Sequence, residues 1–297
     1  MKTVLVIGAN SLIGQNMINK FLSEYYVAAC GPEGKYCDPG VDLTTYQKLD
    51  IRGRDEVKRF FADMRPELII NTASFRDINL CEKEKTNCWD LNVRGVEHIL
   101  EAAQDFNPLY IQISSVHVFD GEEGLYKEDD GCKPINYFGK SMLSAERIIQ
   151  KSGLEYLIAR TAAVYGKSIL SRNDFFSYVQ LKLSRGETVK ALKDHIIPPT
   201  CADELAMAIF QLVDKQEYGI YHIAGTQFCS YYEFALEIAR VFNLDSKKIQ
   251  AVSASEFKSP AQWPKNATFT LNKLYNKLNW LPSNIQDGLN RVKKQLD

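Results

Sequence analysis

Two stretches of this sequence combine residue types and spacings that can do chemistry. The first is Gly8-Ala9-Asn10-Ser11-Leu12-Ile13-Gly14, which follows the apolar run Thr3 to Ile7 and opens the helical pattern Leu12 to Ser23. A glycine-rich turn between a strand and a helix presents backbone N–H groups and the positive helix end to a phosphate. Gly8 permits the tight turn and Gly14 allows the helix to pack closely on the strand. Ser11 stands where backbone would approach phosphate, so its Cβ crowds the contact while its hydroxyl could bond an oxygen. The ligand this predicts is a dinucleotide, NAD or NADP. At the end of the second strand, where an acid or an arginine would choose between them, the chain has Cys30-Gly31-Pro32 and makes no choice.

The second stretch is Ile113-Ser114-Ser115-Val116-His117-Val118-Phe119-Asp120-Gly121. His117 follows Ser115 by two residues at the mouth of a strand, and an imidazole that titrates near neutrality suits proton donation. The plainer alternative is a loop histidine that simply hydrogen-bonds its surroundings. The seven cysteines show neither a C-x-x-C pair nor Cys/His ligand spacing, which predicts free thiols and no metal.

The elements that must position these groups follow from periodicity. Strand-like runs at Thr3 to Ile7, Tyr26 to Cys30, Glu67 to Asn71, Leu109 to Ser114 and Tyr156 to Arg160 alternate with helical patterns at Leu12 to Ser23, Asp55 to Met64, Thr86 to Gln104 and Phe138 to Lys151. This is the pattern of parallel βαβ units, and it predicts an α/β fold with a doubly wound parallel Rossmann sheet. Later come a polar loop at Lys167 to Asn173, helices at Phe175 to Ser184, Asp203 to Val213 and Tyr231 to Phe242, and a strand at Gly219 to Ile223. We expect a dinucleotide-binding unit over 1–165 and a smaller C-terminal substrate lobe over 166–297, with some later segments returning to the sheet. The lobe should face the carboxyl ends of the strands, where open α/β folds bind ligands.

With 297 residues, 45% of them hydrophobic, and a net charge of −1, the chain can fill a core and carries no basic footprint for nucleic acid or a membrane surface. The N-terminal apolar run is too short for a signal segment and leads straight into the glycine turn, so a cytoplasmic protein is expected.

The Ser115 stretch, together with Asn71-Thr72-Ala73, Leu91-Asn92-Val93, Pro134-Ile135-Asn136, Gly139-Lys140-Ser141, Arg160-Thr161, Val164-Tyr165-Gly166, Pro199-Thr200 and Gly219 to His222, resembles the extended short-chain dehydrogenase/reductases. Within them it is most similar to the dTDP-4-dehydrorhamnose reductases and their non-reducing relatives, the regulatory subunits of methionine adenosyltransferase. The resemblance implies cofactor contacts at Gly8, Asn10, Ser11, Leu12, Ile13, Gly14, Asp50, Ile51, Thr72, Ala73, Ser74 and Asn92. It also implies substrate contacts at Ser115, Val116, His117, Trp263 and Asn266. In such enzymes nicotinamide gives hydride to a sugar ketone, a tyrosine gives the proton, a lysine four residues later tunes that tyrosine, and a Ser or Thr, matched by Ser115, bonds the carbonyl.

Here the chain departs from the pattern. Phe138 stands at the tyrosine position, Met142 at the lysine position, Ser11 at the middle glycine, Val116-His117 in place of Asp-Tyr, and Trp263 in place of an arginine before Pro264. Tyr137 is turned about 100° from Phe138 on a helix and Lys140 about 200°, so neither restores the relay. Trp263 cannot bind a diphosphate as a guanidinium would, and an aromatic ring there favours stacking on a base or burial. Two readings remain. One is a nucleotide- or sugar-nucleotide-binding protein, regulatory or degenerate. The other is a sugar-nucleotide 4-keto reductase or epimerase with a relay rebuilt from Ser115 and His117. A homodimer through the helices at Thr86 to Gln104 and Phe138 to Lys151, or a regulatory protein partner, stays open.

Overall fold

The apolar runs assemble as the alternation requires. The computed structural model describes residues 1–41, 43, 45–169, 174–256 and 258–296, so most of the polar loop expected between Lys167 and Asn173 lies outside the described residues. The first six strands are β1 (Thr3–Ile7), β2 (Tyr26–Gly31), β3 (Tyr46–Lys48), β4 (Leu68–Asn71), β5 (Leu109–Ser115) and β6 (Tyr156–Thr161). They pair in parallel in the order β6-β5-β4-β1-β2-β3, and the later strand Gly219–His222 adds in parallel beside β6. The order reverses between β1 and β4, and the ligand crevice of a doubly wound sheet lies outside the strand ends at that point.

Helices α1 (Leu12–Phe21), α2 (Arg54–Met64), α3 (Ile78–Lys83), α4 (Lys85–Trp89), α5 (Gly95–Ala103) and α6 (Tyr137–Lys151) fill the first half. The single helix expected from Thr86 to Gln104 is a continuous helical rod interrupted by a π turn at Asp90–Arg94. The rest comprises β7 (Val164–Tyr165), α7 (Phe175–Ser184), β8 (Val189–Leu192), β9 (Ile196–Ile197), β10 (Thr200–Cys201), α8 (Ala202–Asp214), β11 (Gly219–His222), β12 (Cys229–Ser230), α9 (Tyr231–Val241), β13 (Ile249–Val252), α10 (Asn272–Leu278) and α11 (Ile285–Leu296). Periodicity does not mark β3, α3, α10, the two-residue strands β7, β9, β10 and β12 or the β8–β13 pair, which are short, and the sequence reading also passes over α11, although Ile285, Leu289 and Val292 fall at helical spacing there.

Alternate faces of the sheet bury separate cores. Val4, Val6 and Ile70 pack with α1 and α8, whereas Leu5, Ile7 and Ile69 pack with α2 and α5. A third core joins α6 to α7, α9 and α11, and it contains Phe138 and Met142 beside Phe176, Phe234 and Phe269. Across β5, β6 and α6 runs a buried polar tie. Ser114 Oγ donates to Glu146 Oε1 at 2.5 Å, and the Arg160 guanidinium meets the same carboxylate at 2.8 Å with both side chains almost wholly buried. That tie fixes α6 against the strands and so sets where residues 138 and 142 sit.

Candidate functional site

The glycine turn packs its backbone tightly against the loop after β4 and against its own first residues. Gly8 holds φ +77°, and a Cβ there would come within 2.7 Å of Ala73 N; at Gly14 a Cβ would come within 2.3 Å of Gly8 O. Ser11 is the N-cap of α1: its Oγ accepts from Gly14 N at 2.9 Å and lies 3.1 Å from Thr72 Oγ1. The hydroxyl is thus committed to the helix end and to Thr72, the residue after β4. The N–H groups of Leu12 and Ile13, in the first turn, have no acceptor among the described residues and remain for an anion. The Thr72 hydroxyl is tied back to Ile7 O at 2.8 Å.

From this turn a cavity of about 860 Å³ runs along the carboxyl ends of β4, β5 and β6 beneath α7, α9 and the 263–267 segment. Ile13, Thr72, Ser74, Ser115, Val116, His117, Phe138, Met142 and Trp263 all line it. Ser115, half-buried, accepts from His117 N at 3.3 Å and caps the single turn Val116–Val118. The Phe138 ring meets the His117 ring edge-on at 5.6 Å, and Trp263 meets it edge-on at 6.0 Å. Met142 is 2% exposed. Tyr137 turns away to Trp89 and Lys140 is exposed, so neither enters the cavity.

His117 is not the near-neutral acid that its position suggested. Burial strips its water and pushes its pKa down to about 4. Its Nδ1 lies 3.0 Å from Asn136 Nδ2, and that amide is oriented by its other contacts: Oδ1 accepts from Gly139 N at 2.8 Å and Nδ2 also donates to Gln262 O at 2.9 Å. Nδ2 is a donor, so His117 Nδ1 accepts, and the ring proton of the neutral imidazole sits on Nε2.

The chain matches the model of the RmlD substrate binding domain over residues 1–297. It belongs to that family. It is 26% identical over 306 residues to dTDP-4-dehydrorhamnose reductase of Aggregatibacter actinomycetemcomitans, covering 99% of both chains. It is also 26% identical over 281 residues to methionine adenosyltransferase 2 subunit beta of Rattus norvegicus, covering 92% of this chain and 81% of the relative. Among solved structures, dTDP-4-dehydrorhamnose reductase of Bacillus anthracis in complex with NADP superposes with a TM-score of 0.88 at 27% identity, covering 99% of both chains.

Within this RmlD-family fold, several residues that the resemblance placed at the site lie elsewhere. Asn92, in the π turn, is 1% exposed. Its Oδ1 accepts from Phe75 N at 2.7 Å, and its Nδ2 donates to Phe75 O at 3.1 Å and Ser141 Oγ at 3.0 Å. It clamps the loop after β4 onto α6 rather than facing a ligand. Ile51 is buried under Gly95, and Asp50 is paired with Arg52 at 2.6 Å, so neither reaches the cavity. Ala73 does not line it either; its N–H donates to Asn71 Oδ1 at 3.1 Å. Asn266 opens on a neighbouring depression of about 650 Å³ behind Trp263, its amide bonded to Glu123 O and Thr268 Oγ1.

The cavity also gathers residues that the sequence reading passed over. Arg76 stands at its edge, exposed but in apolar surroundings whose desolvation lowers its pKa, an effect the Asp174 carboxylate opposes. Asp174 caps α7 through Ser177 N at 2.9 Å, and burial raises its pKa. Phe75, Phe175, Tyr178 and Tyr231 complete an aromatic wall. These positions come from loops and from helices distant in sequence, where no motif spacing marks them.

Proposed function

We propose that this RmlD-family chain binds a nicotinamide dinucleotide and an anionic, ring-bearing nucleotide ligand without conventional ketone reduction, and so serves as a binding or regulatory protein. The observation that carries this is the wall at 138 and 142. A phenyl ring and a thioether are packed into the third core where the resemblance expects a phenol and an ammonium, and neither can deliver or tune a proton.

A dinucleotide fits the chain's own groups. The first-turn N–H groups of Leu12 and Ile13 would hold the pyrophosphate, and Gly8 and Gly14 let the turn close to the required shape where a Cβ would strike neighbouring backbone. When bound, the nicotinamide can supply hydride. Ser115 and the Nε2–H of His117 would donate to an oxygen of the second ligand. Phe175, Tyr231 and Trp263 would cover its base or sugar ring, and Arg76, the one Lys or Arg among the described residues on this wall, would meet its negative charge.

The Nε2–H donor is also what favours the second reading, a reductase with a rebuilt relay. Against it, His117 is neutral above about pH 4, and a neutral imidazole N–H hydrogen-bonds well but gives up its proton poorly. Calorimetry with NADH, NADPH and dTDP tests the binding reading. Heats from a dinucleotide and from dTDP, with no oxidation of reduced cofactor by a 4-keto sugar nucleotide, support it; absence of binding by either ligand class overturns it.

A further inference from the structure

Resting on the reading that the Gly8 to Gly14 turn holds a dinucleotide, we propose that Glu33 selects the adenosine ribose of that cofactor and favours NAD over NADP. In this class of fold the ribose lies at the carboxyl end of β2, beside the first residues of the glycine turn. The chain ends β2 at Gly31, turns at Pro32, and brings the carboxylate of Glu33 back over the strand end. A Cβ on Gly31 would lie 2.8 Å from Glu33 Oε2 and 3.0 Å from Tyr46 Oη, so this glycine leaves the room the carboxylate occupies.

The carboxylate is held from both sides. Asn10 Nδ2, inside the glycine turn, donates to Glu33 Oε2 at 3.2 Å, and Tyr46 Oη on β3 lies 3.1 Å from Glu33 O and 3.4 Å from Oε2. Asn10 fixes the following loop as well, donating to Lys35 O at 3.0 Å and accepting from Cys37 N at 2.9 Å. A carboxylate offers about four acceptor positions, so these contacts leave capacity for the vicinal hydroxyls of a ribose. A 2′-phosphate at the same place would set like charge against like charge. Lys35, in the same loop, and Lys48, opposite Gly31 in the β2–β3 register, are the cations such a phosphate could recruit. Both side chains are exposed, and neither forms an ion pair with Glu33 among the described residues.

The test is titration calorimetry of the full chain with NADH and NADPH, and with AMP and 2′,5′-ADP as probes of the adenosine half alone. Wild type should bind NADH at least about tenfold tighter than NADPH, and AMP tighter than 2′,5′-ADP. Glu33→Gln, which keeps the shape and removes the charge, should erase most of both preferences. Glu33→Ala should do the same if the glutamine variant folds poorly, with thermal melting as the control on folding. A wild type that favours NADPH or shows no preference, or a folded Glu33→Gln protein with the wild-type ratio, overturns the assignment of Glu33 and leaves the dinucleotide site standing. Binding of neither dinucleotide by any form overturns the dinucleotide reading, and the assignment of Glu33 falls with it.

Discussion

Asn136 Nδ2 and His117 Nδ1 lie 3.0 Å apart, and because the Asn136 amide also caps α6 through Gly139 N, the start of that helix dictates the tautomer of the histidine on the cavity wall. The same helix carries Phe138 and Met142. One element therefore carries both side chains at the positions where the resemblance expects the relay and fixes what His117 can offer beside them, an Nε2–H donor on a neutral ring.

The neutral state of His117 makes stability depend on pH in a known direction. Its pKa of about 4 in the folded chain lies below its ordinary value of 6.5, and His222, desolvated and beside Arg160, is pushed down to about 3. As pH falls from about 6.5 toward 4 the unfolded chain takes up protons that the folded chain refuses, so stability drops, and the loss from His117 levels off below that window. Its size is on the order of 3 kcal/mol for His117. Urea unfolding at pH 7.5 and 4.5 should show His117→Gln losing markedly less stability than wild type on acidification; parallel losses would refute a neutral His117.

Glu146 and Arg160 form a buried pair joined by Ser114. Glu146→Gln leaves the guanidinium uncompensated in the interior, and denaturant unfolding should show a loss of about 3–5 kcal/mol. A cost below about 1 kcal/mol would mean that the tie does not hold α6 to the sheet.

Ser11 caps α1 and takes up the Gly14 N–H. Ser11→Gly frees that N–H and removes the Cβ near the phosphate path, at a stability cost of only a few tenths of a kcal/mol. Calorimetry should find dinucleotide binding several-fold tighter in the variant. Unchanged or weaker binding would show that Ser11 does not limit the cradle.

Trp263 borders the cavity with its indole N–H bonded to Ser259 Oγ at 3.1 Å. Binding of dTDP should change tryptophan emission, and Trp263→Phe should abolish that change while Trp89 and Trp280 still emit. A signal that survives in Trp263→Phe would take this residue out of the ligand's path.

The strands and helices that carry the site were legible because each repeats an apolar period over several residues. Thr3–Ile7 and Phe175–Ser184 fall where periodicity puts them. Side-chain targets were harder to read. Asn92 sits in a segment whose pattern the resemblance carries, yet its partners lie 17 and 49 residues away and turn it into a clamp. Glu33 escaped notice because the strand end reads Cys30-Gly31-Pro32 and the acid returns only after the chain reverses. His117 lies in the single turn that follows β5, and its pKa depends on burial beside Phe138 and Trp263, which no local spacing encodes.

The central claim is that the wall at 138 and 142 leaves this chain without a working proton relay, and single-turnover oxidation of NADH and NADPH in the presence of dTDP-4-dehydrorhamnose tests it most directly. Wild type should show little or no oxidation. Phe138→Tyr with Met142→Lys should raise the rate by about 10²–10⁴-fold, far more than either change alone, because the lysine acts through the tyrosine. Met142→Lys alone should mainly cost stability, since it sets an ammonium among apolar neighbours. Rapid oxidation by wild type that collapses in His117→Ala would contradict the account and install the Ser115 and His117 relay in its place.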